Sequence, residues 1–179
     1  RGVLLGALLI GGACLVRAHG SADVSVLSVT FGRVQDFAVH DINNMGAAMM
    51  PAAASTLLGW FSATGTSPQD FGAIFTGDLG EVGTALLHEQ MAKEGLPLDN
   101  HKDCGCLLYD TNSQNVQAGG SGAGCSAAVL CGKILPMLAA GQLRSMLFLA
   151  TGALMSQTTF LQGESIPGIA HCVELGGAV

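Results

Sequence analysis

Basic side chains are scarce in this 179-residue chain: Lys and Arg number 7 against 13 Asp and Glu, and no cluster of them occurs anywhere. Nucleic-acid binding draws its affinity from counterions released by clustered cations, so that function class is excluded. Aromatic residues are few, with one Trp and one Tyr. No C-x-x-C pair is present, and the C-x-C of Cys104 and Cys106 has no second pair at zinc-site spacing, which argues against structural zinc. The six Cys (Cys14, Cys104, Cys106, Cys125, Cys131 and Cys172) lie in apolar or Gly-rich surroundings of a chain too large to need staples. They read as reduced thiols of a cytosolic-type compartment. The apolar run Gly2 to Val16 behind Arg1 has the length of a signal-peptide core but is too short to span a bilayer comfortably. Gly6, Gly11 and Gly12 interrupt it and no small-x-small cleavage site follows, so a buried strand in a longer chain is the better reading.

What the chain does have is apolar bulk and glycine. Hydrophobic residues make up 49% and Gly numbers 26, about twice its usual share, which fits a buried α/β interior with tight turns. Strand and helix patterns alternate along it. Val24 to Val29 alternates apolar and small polar residues and predicts a half-buried strand. Met45 to Ala63, rich in Ala, Met and Leu, predicts a helix with Pro51 near its first turn, because a later Pro would break it. Phe71 to Phe75 predicts a short buried strand ending at Thr76-Gly77-Asp78. Leu79 to Glu94 predicts a helix stopped by Gly95. Cys106 to Tyr109 is a candidate short strand. Gly119 to Gly124 opens a helix whose Leu130, Ile134, Met137 and Leu138 form one stripe. Ser145 to Ala150 and Ile169 to Leu175 are the last strands. Such alternation with short connections indicates an α/β layered sheet, with no internal domain boundary.

The Gly-rich turn Gly119-Gly120-Ser121-Gly122-Ala123-Gly124 lets backbone N–H groups approach an anion at a helix N-terminus. It fits no nucleotide or hydrolase fingerprint, since Cys125 stands where GxGxxG needs Gly and GxxxxGK[ST] needs Lys, and Ala123 spoils GxSxG. Close helix-sheet packing and a backbone cradle for a carboxylate both remain open. His101, Asp103, Cys104 and Cys106 form the densest reactive cluster. Residues so close in a loop rarely face each other as nucleophile and base, so turn and core packing is favoured over a catalytic Cys-His pair. His171 reads as a satisfied core histidine, and His88 and Glu89 as solvated helix surface. Asp78 and Thr151-Gly152 follow strand ends, where open α/β sheets place ligands.

Five strings carry a resemblance: NNMGAAMMPAAAST (Asn43 to Thr56), FTGDLGEVGTALL (Phe75 to Leu87), HKDCGCLLYD (His101 to Asp110), QAGGSGAGCSAAVLCG (Gln117 to Gly132) and LFLATGALMSQTTFLQGESIPGIAHCV (Leu147 to Val173). In order and spacing they resemble the stage V sporulation protein AD family, over roughly residues 24 to 175. The resemblance implies a thiolase-like fold of two βαβαβαββ halves, this chain being the second half (24 to 175) plus, in residues 1 to 18, the strand closing the first. Condensing enzymes of that fold carry a His in a PHQAN-type segment and an Asn or His in the Gly-rich turn. By motif alignment Gly77 stands at the first place and Ser121 at the second, so the resemblance implies a fold member without condensing chemistry. It further implies a cofactor-free binding protein for dipicolinic acid (pyridine-2,6-dicarboxylate), with or without calcium, serving its uptake into the developing spore. Ser121, Gly122 and Gly124 are the candidate contacts, with Gly77 beside them and Asp78 as a relay or calcium-side group. Partners would be the other proteins of that uptake system and, at full length, a second copy of the protein. Its place would be peripheral to the spore inner membrane. An acyl-CoA or acyl-carrier condensing enzyme, and a truncated half-domain without activity, are the alternatives.

Overall fold

Two short apolar stretches set the centre of the sheet. The computed structural model describes residues 2–7, 12–17, 22–122 and 124–177, with side chains in the last two spans. Strand β4 (Ala73–Thr76) pairs in parallel with β6 (Ser145–Ala153), Ile74 opposite Leu147 and Phe75 opposite Phe148. Both carry apolar residues at successive positions because helices cover both faces of a parallel sheet. β5 (His101–Asp103) adds in parallel beyond β4. On the other side β7 (Gly168–Gly177) runs antiparallel to β6, and β3 (Val24–Thr30) antiparallel to β7, giving the order β3-β7-β6-β4-β5.

Alternation along the strands divides the core in two. Ile74, Leu147, Leu149 and Cys172 face α1 (Met45–Thr64) and α2 (Gly80–Lys93), where they meet Ala52, Leu57, Trp60, Leu87 and Met91. Ala73, Phe75, Met146, Phe148 and Leu175 face Val129, Ile134 and Leu138 on the opposite side. Those three belong to one helical passage: α4 (Cys125–Val129), a π-helical turn over Leu130–Ile134, and α5 (Leu135–Ala139). Short helices α3 (Cys104–Leu108) and α6 (Gln157–Leu161) follow β5 and β6. No helix among the described residues is long and apolar enough to cross a membrane.

Helix α1 begins where the Asn44 side chain accepts the Ala47 N–H, and it ends at Gly65, whose φ of 67° lets its N–H reach the Phe61 carbonyl. Its start lies directly on the next unit. A Cβ on Gly46 would sit 2.1 Å from the Leu79 carbonyl oxygen, and one on Gly83 2.9 Å from that of Gly46, so α1 and the head of α2 touch backbone to backbone.

Four sequence expectations change. The run Gly2 to Val16, expected as one closing strand, contains two: β1 (Gly2–Ala7) pairs antiparallel with β2 (Gly12–Arg17) as a ribbon apart from the main sheet. Gly12 lies opposite Ala7 at one end of the pairing and Arg17 opposite Gly2 at the other. The strand expected at Cys106 to Tyr109 is helix α3, and the strand lies just before it, because the Asp103 side chain accepts the Cys106 N–H and starts a turn there. Pro51 is well inside α1 rather than in its first turn; it is buried, and the helix continues without that one N–H. Val26 and Val29 of β3 are exposed rather than inward, since β3 is an edge strand whose register shifts between Val26 and Ser28.

Leu149 is fully buried between β4, β7 and the α1 layer. Leu149→Ala should lower unfolding free energy by about 2–5 kcal/mol, read from urea denaturation at an unchanged m-value.

Candidate functional site

A buried carboxylate is costly unless donors surround it, and Asp103, at the end of β5 and 2% exposed, has four. Its Oδ2 accepts the Thr76 hydroxyl (2.6 Å) and the Leu79 N–H (2.9 Å), and its Oδ1 the N–H groups of Gly80 (3.0 Å) and Cys106 (3.2 Å). Leu79, at the head of α2, has no side chain able to cap it, and this distant carboxylate takes the orphan N–H groups instead. One side chain thereby ties the end of β4 to the first turns of α2 and α3.

The Thr76 hydroxyl gives its one proton to Asp103, so it accepts from His101 Nε2–H at 2.9 Å. Burial, and then the neighbouring His88, hold the His101 pKa down at about 3, which keeps the ring neutral and leaves Nδ1 bare to accept His88 Nε2–H at 3.0 Å. His88 is therefore not simply solvated, as the sequence suggested, whereas Glu89 is, in an exposed pair with Lys93.

Asp78 leaves the end of β4 and is anchored across to β6. Its Oδ1 accepts the Thr151 hydroxyl at 3.0 Å while Thr151 Oγ1 accepts the Asp78 N–H at 3.1 Å, and its Oδ2 accepts the Gly122 N–H at 3.2 Å. Burial raises the Asp78 pKa, the bonds from Gly122 and Thr151 oppose that, and the charge of Asp103 adds to the rise. Gly119 and Gly122 sit at φ 109° and 105°, conformations open to glycine. The Gly120 N–H reaches the Gly105 carbonyl at 2.8 Å, and a Cβ on Gly105 would lie 2.4 Å from the Gly120 oxygen.

These pieces enclose a cleft of about 900 Å³ at the carboxyl ends of β4 and β6. Asn43, Asn44 and Gly46 at the start of α1 form one wall, Asp78 to Gly80 and Val116 to Gly122 another, and Ser126 and Thr151 to Ala153 the floor. Asp78 is the one charged side chain among the described residues lining it. Of the sequence candidates, Asp78, Ser121, Gly122, Thr151 and Gly152 come together there. Gly77 and Gly124 do not line the cleft: Gly77 is pressed behind it, where a Cβ would lie 2.5 Å from Thr151 Oγ1, and Gly124 precedes α4. The turn's N–H groups are less open than expected, since those of Gly119, Gly120 and Gly122 already bond Val116, Gly105 and Asp78. Asn43, Asn44 and Ser126 were not singled out in sequence, although Asn before an Ala-rich helix is a capping signal.

The cysteines do not form a nucleophilic site with His101. Both ring nitrogens of His101 are engaged by Thr76 and His88. Burial pushes the Cys104 thiol far up, and those of Cys106 and Cys125 to about 11, with the carboxylates of Asp103 and Asp78 adding to it. His171 accepts the Gly32 N–H at Nδ1 and meets the Phe31 ring edge-on, the satisfied role read from sequence.

Gly77→Ala should displace the Thr151 hydroxyl from Asp78 and cost about 1–3 kcal/mol of stability in urea unfolding. The His101 ring, depressed from 6.5 to about 3, makes stability complete above about pH 6.5 and progressively lost as pH falls toward about 3, because the unfolded ring takes up the proton first. The loss should be about 1 kcal/mol per pH unit, and unfolding midpoints of His101→Gln should fall less than those of the wild type between about pH 7 and pH 4.5.

Comparison with known proteins agrees with this architecture. The chain is similar to the tetronic acid condensing enzyme AbyA1, with a TM-score of 0.55 and 16% sequence identity over 92% of this chain and 51% of that one. That likeness establishes the thiolase-like α/β fold. Stage V sporulation protein AD of Bacillus subtilis (strain 168) is 40% identical over 172 residues, 94% of this chain and 51% of that protein. This chain therefore spans about half the length of these relatives. The family profile of stage V sporulation protein AD matches residues 7–176, and the chain belongs to that family of sporulation proteins.

Proposed function

We propose that this chain is part of a non-catalytic binding protein for dipicolinate, a small planar dicarboxylate, acting in its uptake into the developing spore. The observation that carries the reading is a cleft built of amide and hydroxyl groups, Asn43, Asn44, Ser121, Ser126 and Thr151, in a chain of a sporulation family. The N-terminus of the 20-residue helix α1 opens on this cleft and lends it the positive end of a dipole. No His, Lys or Arg is among the described residues lining it, and Gly77 has no room for a side chain. This supports a reading without the imidazole base of condensing enzymes, Asp78 being the one titratable side chain among the described lining residues. The remaining contacts would come from the other half of the full-length protein, which would work as a homodimer beside other proteins of the uptake system, peripheral to the spore inner membrane. The likeness to a condensing enzyme keeps acyl transfer from an acyl-CoA or acyl carrier as the second reading.

Calorimetric titration of dipicolinate into the full-length protein tests this. Saturable binding is expected, with Ser121→Ala weakening it by about 1 kcal/mol, roughly fivefold. Gly122→Val should abolish it, since φ 105° is closed to a branched side chain. Absence of binding by the wild type, together with acyl-CoA turnover, would favour the second reading.

A further inference from the structure

The single charged group among the described lining residues has the wrong sign for a dicarboxylate. Asp78 projects between the Gly-rich turn and β6, its oxygens holding Gly122 N–H and Thr151 O–H, and nothing cationic lines the cleft among the described residues. A doubly negative ligand placed there faces a third carboxylate. Resting on the dipicolinate reading, we propose that the cleft takes up its dicarboxylate together with one proton, carried by Asp78 as a carboxylic acid that donates to a ligand carboxylate.

The groups around Asp78 leave it as the proton acceptor. From β5 the Asp103 carboxylate faces it, and all four of its bonds are to donors within the protein. Cys104 on α3 and Cys125 on α4 feel its charge, and both thiols are held in the protonated form by burial, so neither gains a proton when a ligand enters. From β6 comes only the Thr151 hydroxyl, and on α2 Glu81 bonds the Thr111 hydroxyl at the surface. Each Asp78 oxygen accepts one hydrogen bond in the protein, so an O–H directed into the cleft can be added without breaking either. The burial and the nearby Asp103 charge that raise the Asp78 pKa act in the same direction as an arriving anion. The step balances simply: solvent supplies one proton to Asp78 on binding, and release of the ligand returns it.

Calorimetry of the full-length protein with dipicolinate, run in buffers of different ionisation heat at about pH 7, counts the protons taken up. The expected result is close to one proton per ligand, with wild-type affinity falling by up to about tenfold per unit between about pH 6 and pH 8. Asp78→Asn, which removes the titratable group at nearly the same shape and gives up one of the two accepted hydrogen bonds, should bind with no uptake and nearly constant affinity over that range. Wild-type binding without proton uptake, or an Asn variant that keeps the wild-type pH slope, overturns the proposal while leaving the dipicolinate reading intact. So does binding that requires added calcium and takes up no proton. Should the variant not fold, the wild-type proton count alone decides. No binding by the wild type at any pH overturns both.

Discussion

The buried carboxylate of Asp103 is the constraint around which the rest of the cleft is arranged. Strand ends in an α/β sheet leave loops whose backbone N–H groups need partners, and here one side chain supplies them to the heads of two helices at once. Because the same carboxylate takes the Thr76 hydroxyl, the last residue of β4 and the turn that launches Asp78 are fixed relative to β5. The Gly105 carbonyl, two residues on, then holds Gly120 and with it the Gly-rich turn. Asp78 meets Gly122 as the consequence of that framework rather than by a local contact.

This arrangement also explains the odd placement of polar residues behind the cleft. The chain His88, His101, Thr76, Asp103 runs from the surface of α2 to the buried carboxylate, and each proton in it has one direction to point. Such a network is satisfied only when every member is present in the right protonation state. Removing His101 leaves the Thr76 hydroxyl short of a donor, and charging its ring breaks the order of the bonds.

Much of the layer plan was legible in the sequence, because β4 and β6 are short apolar runs and α2 has a glycine stop. The edge was not: β3 alternates in sequence like a half-buried strand, yet it borders the sheet on one side only, and strand patterning carries no information about which strand is outermost. The helix at Cys104–Leu108 was hidden for a different reason. Five residues are too few to show a period; Asp103 caps them locally through the Cys106 N–H, but its burial beneath the head of α2, over twenty positions away, is a tertiary matter. Likewise Asp78, Ser121 and Gly122 could be named from strand ends and glycine content, but that the Gly122 N–H is turned toward Asp78 is a matter of tertiary register. Pro51 shows tertiary packing overriding a sound local rule, since α1 is buried along most of its length and keeps its course past a missing hydrogen bond.

The contact of Gly46 with Leu79 and Gly83 has a consequence for selectivity. Where helices meet through side chains, rotamers can shift and a pocket can stretch to admit a larger guest. Here the wall carrying Asn43 and Asn44 rests on the wall carrying Asp78 with bare peptide against bare peptide, leaving no compressible layer between them. The aperture behaves as a fixed gauge, set by main-chain thickness, so the width of a guest weighs more than its polarity in what this cleft admits.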